Sequence, residues 1–267
     1  MNDQQLTTYE KQWAEQAQAA VAQAPAQSGT FISTRGGILS FGEEELPGNQ
    51  CAVIILDMVK EHTYYPEKFN PDVPASPICY AFARGDEEMA PHESMRADLT
   101  YFKPQSDTCM TCKHNEWGSA DTGRGKACQN RERLALIPAG YYTPKKGSRD
   151  FDLELFNDPK HFEQADVAFI KLPVTSVAGW WKYVSQVSTA QRRPPHGVIT
   201  RLFLEPDPKS QYKVHFEMIE TVSDELAMIV MARHEKAVKA PMLGYSPPKI
   251  EDQPMQRGSL KGLRRGR

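Results

Sequence analysis

Four of the five cysteines in this chain have the spacing of a metal-binding site, and no other feature restricts the fold as strongly. Cys109 and Cys112 form a C-x-x-C pair, with 15 residues between this pair and Cys128 and 29 residues between it and Cys79 upstream. Thiolates two positions apart in a tight turn converge on one tetrahedral ion. Residues 113–127 are rich in glycine and polar side chains, as is typical of a loop. The spacing therefore predicts a closed, structural metal site that holds the fold together.

The expected ion is zinc, because the cysteines of iron–sulfur clusters follow one another at closer spacing. Other interpretations stay open from the sequence alone. His114 could replace Cys79 as a ligand, and the C-x-x-C motif could be a redox pair or two unrelated free thiols. The fifth cysteine, Cys51, is not expected to bind the metal. Cysteines clustered at metal spacing indicate a reducing compartment.

Composition and charge exclude some classes of protein. The longest apolar run, residues 226–232, has seven residues, whereas a helix needs about 20 to span a bilayer. The amino terminus is polar and rich in glutamine, so no secretory signal is expected. The formal net charge is −2, but residues 251–267 carry five basic side chains against two acidic ones. This basic tail could contact an anionic partner.

The order of patterns divides the chain into three parts: a helical arm (1–27), a core (28–240) with the cysteine insertion at about 75–130, and a flexible basic tail (241–267). Helices in the core are expected to begin at a Thr175 or Ser176 cap and at a Ser223 cap. Apolar and alternating segments bounded by turn residues predict strands. These segments are 31–35, 38–41, 51–59, 131–138, 165–172, 197–204 and 212–219. The expected fold is mainly β with a few helices (α+β), in the form of an OB-fold-like barrel with a zinc-binding loop insertion; a generic α+β sandwich is the alternative.

The motifs around the cysteines resemble a group of tailed-bacteriophage and prophage proteins. They are P-I-C-Y at 77–80, C-M-T-C-K-H-N at 109–115, W-G-S at 117–119 and G-R-G-K-A-C-Q-N-R-E-R-L at 123–134. Some members of that group look like single-stranded DNA-binding proteins of replication and recombination. The resemblance implies DNA as a partner, possible contacts with replication or recombination proteins, and the cytoplasm of a bacterial host. The chain departs from many single-strand binders in one respect, because its tail ends in basic and not acidic residues.

Binding of single strands without sequence preference needs cations for phosphates and aromatic faces for bases. Both occur in two regions, the cysteine loop with the strand that follows it and the carboxy-terminal hairpin. The candidate contacts are Trp117, Arg124, Lys126, Arg131, Arg133, Arg192, Arg193, Arg201 and Lys213. For the hairpin, the alternative is an ordinary strand pair with its aromatic face in the core and its basic face in water.

Two other functions remain open. Asp57 and Glu61, next to His62 at the end of an apolar strand, could hold a divalent ion in a metal-dependent nuclease. A structural or adaptor protein could instead act through the helical arm and the basic tail. No catalytic triad or other nucleophile–base arrangement is recognisable, so the leading expectation is a DNA-binding protein without enzymatic activity.

Overall fold

The structure, a computed structural model, describes residues 31–42, 44–67, 75–85, 87–208, 210–239 and 244–248. The strands of this part are β1 (Phe31–Ser33), β2 (Ser40–Phe41), β3 (Glu44–Glu45), β4 (Gln50–Tyr64), β5 (Cys79–Ala83), β6 (Cys128–Pro144), β7 (Phe151–Leu155), β8 (Ala168–Lys171), β9 (Val198–Asp207) and β10 (Gln211–Thr221). The α-helices are α1 (Pro159–Gln164), α2 (Val174–Gln191) and α3 (Asp224–Lys239). None of these helices is long and apolar enough to cross a membrane. The predicted helical arm lies outside the described residues.

Two long antiparallel strands, β4 and β6, form the spine of the sheet. They contain 15 and 17 residues and pair from Ala52 opposite Gly140 to Tyr64 opposite Cys128. The first half of β4 is apolar and β-branched, as the sequence predicts. Its second half is polar and still extended, because it is paired on both sides, with β6 and with β5.

The remaining strands join this spine in the order β10-β9-β4-β6-β8-β1-β2-β3, with β5 paired to β4 and β7 to β6. β1 and β8 run parallel, and the other pairs are antiparallel. The α+β class is confirmed, but the described strands form an open sheet and not the expected closed OB-fold barrel. Closure requires the two edge strands to pair, and the edge strand β3 has only two residues.

The sheet has two faces, and helices cover both. On one face, Val53 and Ile55 pack in a core with Trp180 of α2, which is fully buried; we call this the α2 face. On the other, Ile54 and Leu56 pack in a core with residues of α1 and α3; we call this the α3 face. Burial on both sides explains why β4 begins as a continuous apolar run.

The predicted hairpins are confirmed, since β1 pairs with β2 and β9 pairs with β10. The predicted cap of α2 is wrong. Pro173 precedes the first helical residue, and no side chain caps the helix. The hydroxyl of Ser176 instead accepts a hydrogen bond from the backbone nitrogen of Val214 at 2.9 Å. α2 ends at Gln191, and the residue that follows it, Arg192, has a left-handed φ of 54°.

Part of the predicted flexible tail, 241–267, packs on the α3 face. In residues 244–248, the hydroxyl of Tyr245 donates to Oε1 of Glu61 at 2.5 Å. Its ring lies 5.0 Å from that of Tyr80, within a third apolar cluster. This segment therefore belongs to the folded core.

Candidate functional site

Two of the predicted metal ligands lie on the strands that flank Tyr64, the last residue of β4. It pairs with Cys79 of β5 and with Cys128, the first residue of β6. Directly paired residues project from the same face of a sheet. Both thiols therefore project on the α2 face, and both residues are buried.

The loop between β5 and β6 folds back to bring the C-x-x-C pair to these two cysteines. The backbone nitrogen of Cys109 donates to the carbonyl of Met89 at 2.8 Å, and the Asn115 side chain donates to the carbonyl of Cys109 at 2.8 Å. A single 3-10 turn, Lys113–Asn115, begins directly after Cys112. All four cysteines of the motif line one pocket, as the spacing predicts.

The cysteine thiols influence one another electrostatically. Burial, and then repulsion from Cys79 and Cys112, raises the pKa of Cys109 to about 12. Burial, and then repulsion from the other three, raises the pKa of Cys128 to about 12. Mutual repulsion of this kind requires neighbouring sulfur atoms. A bound cation reverses the effect, because a coordinating thiol is deprotonated by the metal.

The donor chemistry of this pocket fits zinc, since four sulfur ligands with one C-x-x-C pair are typical of structural zinc sites. In the part of the chain that the structure describes, however, no group of three or more Cys, His, Asp or Glu side chains is arranged as a formed metal site. The four thiols share a pocket without surrounding a single point. Zinc at Cys79, Cys109, Cys112 and Cys128 therefore stays a prediction.

Two histidines also line the thiol pocket. The ring of His114, the alternative ligand, stacks on Tyr64 with 3.9 Å between centroids. His62 was not identified as part of this site from the sequence. Its Nδ1 is buried and lacks a hydrogen-bond partner among the described residues, and burial, followed by repulsion from Lys126 and Lys60, lowers its pKa to about 4. A neutral histidine beside four thiols can accept a proton or a metal through that nitrogen.

The outer surface of the cysteine loop carries an exposed aromatic ring and two exposed cations. The side chains of Trp117 and Met110 are each 81% exposed. Arg124 and Lys126 are exposed as well, and neither forms a salt bridge with any described residue. The Lys126 ammonium donates to Oδ1 of Asn115 at 3.0 Å. Three predicted contacts therefore lie on one solvent-facing loop.

Hydrogen bonds within the loop hold this surface in place. The Ser119 hydroxyl donates to the carbonyls of His114 and Glu116, at 3.0 and 2.7 Å, and accepts from the nitrogen of Ala127 at 2.9 Å. Gly118, which follows Trp117, has a φ of 94°. Only glycine adopts this conformation without strain, so Trp117 is carried by a defined turn.

On the α3 face, β4 and β6 bury an ion pair. Nη2 of Arg133 lies 2.5 Å from Oε1 of Glu61, and the two side chains are 4% and 0% exposed. Burial raises the pKa of Glu61, but the charges of Arg133 and Lys171 and the hydrogen bonds from Arg133 and Tyr245 outweigh this, so its pKa lies below the usual value. Oε2 of Glu61 is buried without a partner among the described residues.

Two further cations and three aromatic rings surround this pair. The guanidinium carbon of Arg133 lies 4.4 Å from the ring centroid of Phe82 and 5.4 Å from that of Phe31. Nζ of Lys171 lies 4.7 Å from the centroid of Phe31 and 4.3 Å from that of Tyr245. Arg131 of β6 pairs directly with Glu61. We call this group, which consists of Glu61, Arg131, Arg133, Lys171, Phe31, Phe82 and Tyr245, the ionic cluster.

Several predicted nucleic-acid contacts are engaged within the protein. Arg133 is buried, so its prediction as a surface phosphate contact is wrong. On the hairpin, Arg201 pairs with Glu217 at 3.0 Å and Lys213 pairs with Asp207 at 2.9 Å. The Arg193 guanidinium donates to the carbonyl of Val222 at 2.8 Å, whereas Arg192, the C-cap of α2, has an exposed side chain. The hairpin surface consequently carries charges that are paired with one another. This agrees better with the ordinary strand pair, the alternative interpretation of the sequence, than with a DNA-binding surface.

The carboxylates predicted for a nuclease do not form one site. Asp57 pairs with Arg84 at 2.9 Å, and Glu61 pairs with Arg133. Both carboxylates lie on β4, four residues apart, which corresponds to about 13 Å along a strand. One ion cannot be bound by both, so the residues that would make this protein a nuclease are not brought together.

Comparisons with protein-family models, curated proteins and solved structures return no significant match. The function is therefore inferred from the thiol pocket, the outer surface of the cysteine loop and the ionic cluster.

Proposed function

We propose that this protein binds single-stranded DNA through the outer surface of its cysteine loop, and that a zinc ion in the thiol pocket holds this loop in its binding conformation. The observation that carries the proposal is Trp117, an exposed indole on a hydrogen-bonded turn of the loop that also carries Arg124 and Lys126, two cations without ionic partners among the described residues. Trp117 is 81% exposed, and such a ring has no role in a core. A base can stack on it while Arg124 and Lys126 contact the adjacent phosphates.

Zinc would act by linking secondary-structure elements and would take no part in chemistry. Cys79 and Cys128 lie on strands to either side of β4, whereas Cys109 and Cys112 belong to the loop. One ion bound to all four would fix the loop to two strands of the sheet, β5 and β6. The resemblance of the cysteine motif to bacteriophage proteins supports a role in phage DNA replication or recombination within the host cytoplasm.

Fluorescence anisotropy with labelled oligo(dT) tests this function. Trp117→Ala is expected to weaken binding by about 1–3 kcal/mol, since this is the range for losing one base–aromatic stack. Met110→Ala is the matched control, because Met110 is equally exposed on the same loop but offers no ring. Wild-type protein that fails to bind at low salt, or a Trp117→Ala variant with wild-type affinity, would refute the proposal.

The salt dependence of binding tests the cations separately. Each phosphate contact on a single strand contributes about −0.7 to the slope of log K against log salt. Replacing Arg124 and Lys126 together by alanine should therefore reduce the slope by about 1.4. Zinc content, measured by elemental analysis, should be unchanged in this variant, because neither side chain is a ligand. An unchanged slope would move the phosphate contacts away from the loop.

A further inference from the structure

The ionic cluster contains more positive than negative charge. Among the described residues of the cluster, three cations, Arg131, Arg133 and Lys171, surround one carboxylate, that of Glu61. Burial lowers the pKa of Lys171 to about 8, and of the charged groups acting on it, Glu61 raises the pKa while Arg133 and Arg131 lower it. Removing a charge from water is costly unless an opposite charge replaces the lost hydration. The cluster therefore has the electrostatics of a site that receives an anion.

Hydrogen-bonding capacity in the cluster is also unused. Nε of Arg131 and Oε2 of Glu61 are both buried and have no hydrogen-bond partner among the described residues. Buried polar atoms in folded proteins are usually satisfied, and an exception calls for an explanation. An anionic group bound at Arg131 would satisfy its guanidinium, whereas Oε2 of Glu61, on a side chain that is 0% exposed, lies too deep for a ligand at the surface.

The cluster has a buried floor and an accessible rim. Glu61 and Arg133 form the floor, whereas Phe31, Arg131 and Lys171 are only half-buried. The Phe31 ring already contacts that of Phe169, with 5.6 Å between centroids, so only its partly exposed side is open to a ligand. A ligand that approaches from solvent meets these three side chains before it meets the buried pair. An aromatic ring beside cations fits a planar base attached to a phosphate better than it fits inorganic phosphate.

We propose that the ionic cluster is a nucleotide-binding site, in which Arg131 and Lys171 bind the phosphate of one nucleotide and Phe31 stacks on its base. The inference rests on the proposed binding of single-stranded DNA, which it extends with a second contact on the opposite face of the sheet from the thiol pocket. A DNA strand that contacted both the cysteine loop and the ionic cluster would pass around the edge of the sheet.

Titration of full-length protein with dTMP, followed by intrinsic fluorescence or by NMR, tests the site without a polymer. Lys171→Gln is expected to weaken dTMP binding at least ~10-fold, because a charge-assisted phosphate contact is lost. Lys182→Gln, which alters an exposed lysine of α2, should bind as the wild type does. Inorganic phosphate should bind more weakly than dTMP, because it cannot stack on Phe31.

Thermal unfolding separates a binding role from a structural one. If Lys171 serves a ligand, its charge is unfavourable in the free protein, chiefly because burial desolvates it, so Lys171→Gln should be at least as stable as the wild type. A less stable variant with unchanged dTMP affinity would assign Lys171 a structural role and overturn the inference. Absence of dTMP binding by wild-type protein at millimolar concentration would overturn it as well.

The two proposals fail separately. One outcome is that Trp117→Ala loses affinity for oligo(dT), Lys171→Gln keeps it, and the wild type does not bind dTMP. The loop would then remain the DNA-binding surface, and the ionic cluster would not be a nucleotide site. The opposite outcome is that the protein binds dTMP through Lys171 but does not bind oligo(dT). The ionic cluster would then remain a nucleotide site, and the proposed binding of single-stranded DNA would be wrong.

Discussion

Replacing Glu61 by glutamine should destabilise this protein more than any change to its other ion pairs. The substitution keeps the shape of the side chain and an oxygen that can accept from Tyr245, but it removes the charge. Arg133, whose side chain is 4% exposed, would then be a buried cation that has lost the charge of Glu61, close to a second cation at Lys171. Breaking a buried pair by neutralising one partner costs about 3–5 kcal/mol.

The destabilisation of Glu61→Gln can be measured as the change in the free energy of unfolding in urea. The corresponding fall in Tm is about 10 °C for a chain of this size. The matched control is Arg84→Met, which breaks the pair with Asp57 on the same strand. That pair is more accessible, with side chains 26% and 12% exposed, so its loss should cost about 1 kcal/mol.

A double variant tests whether the unbalanced charge of Arg133 causes the expected loss of stability in Glu61→Gln. Changing Glu61 to leucine and Arg133 to methionine together removes both buried charges, and apolar replacement of a buried pair is often neutral or better. The double variant should therefore recover at least half of the stability lost in Glu61→Gln. The reasoning is refuted if Glu61→Gln costs less than about 1 kcal/mol, or if the double variant is less stable than the single one.

Three further outcomes are expected. Cys128→Ser should lose bound zinc and thermal stability together, whereas Cys51→Ser should keep its zinc by elemental analysis; a zinc-free wild-type protein would contradict the assignment of the site. A chain that ends at residue 248 should unfold at the wild-type temperature, whereas one that ends at 243 should unfold earlier, because it lacks the contacts of Tyr245. Between pH 8 and pH 10, the stability of the wild type should rise relative to Lys171→Gln by at most about 1.4 kcal/mol per pH unit. The sign follows because the lysine, with a folded pKa of about 8, loses its proton in the folded state before it does so in the unfolded state; parallel curves for the two proteins would contradict it.

The sequence was most informative where neighbouring residues determine the structure. The apolar half of β4 and the two hairpins follow from local composition and turns. The convergence of the cysteines on one pocket was predicted from their spacing, because a C-x-x-C pair constrains its own loop. Zinc itself remains a prediction.

Features that depend on distant pairing could not be predicted from the sequence. The polar half of β4 looks like the end of a strand, yet it continues to Tyr64 because Cys79 and Cys128 supply partners far along the chain. β5 was missed because all five of its residues are buried, which removes the alternation that identifies a strand. Arg133 seemed accessible among charged neighbours, since nothing local indicated that its partner was Glu61, 72 residues away.

One detail of β4 links the two candidate sites. Glu61 and His62 are consecutive residues of the same strand, so their side chains project from opposite faces, Glu61 into the ionic cluster and His62 into the thiol pocket. A ligand that displaces β4 at one of these residues must displace the other. Zinc and nucleotide binding should then be thermodynamically coupled, and coupling is reciprocal: whatever factor zinc applies to nucleotide affinity, the nucleotide applies to zinc affinity.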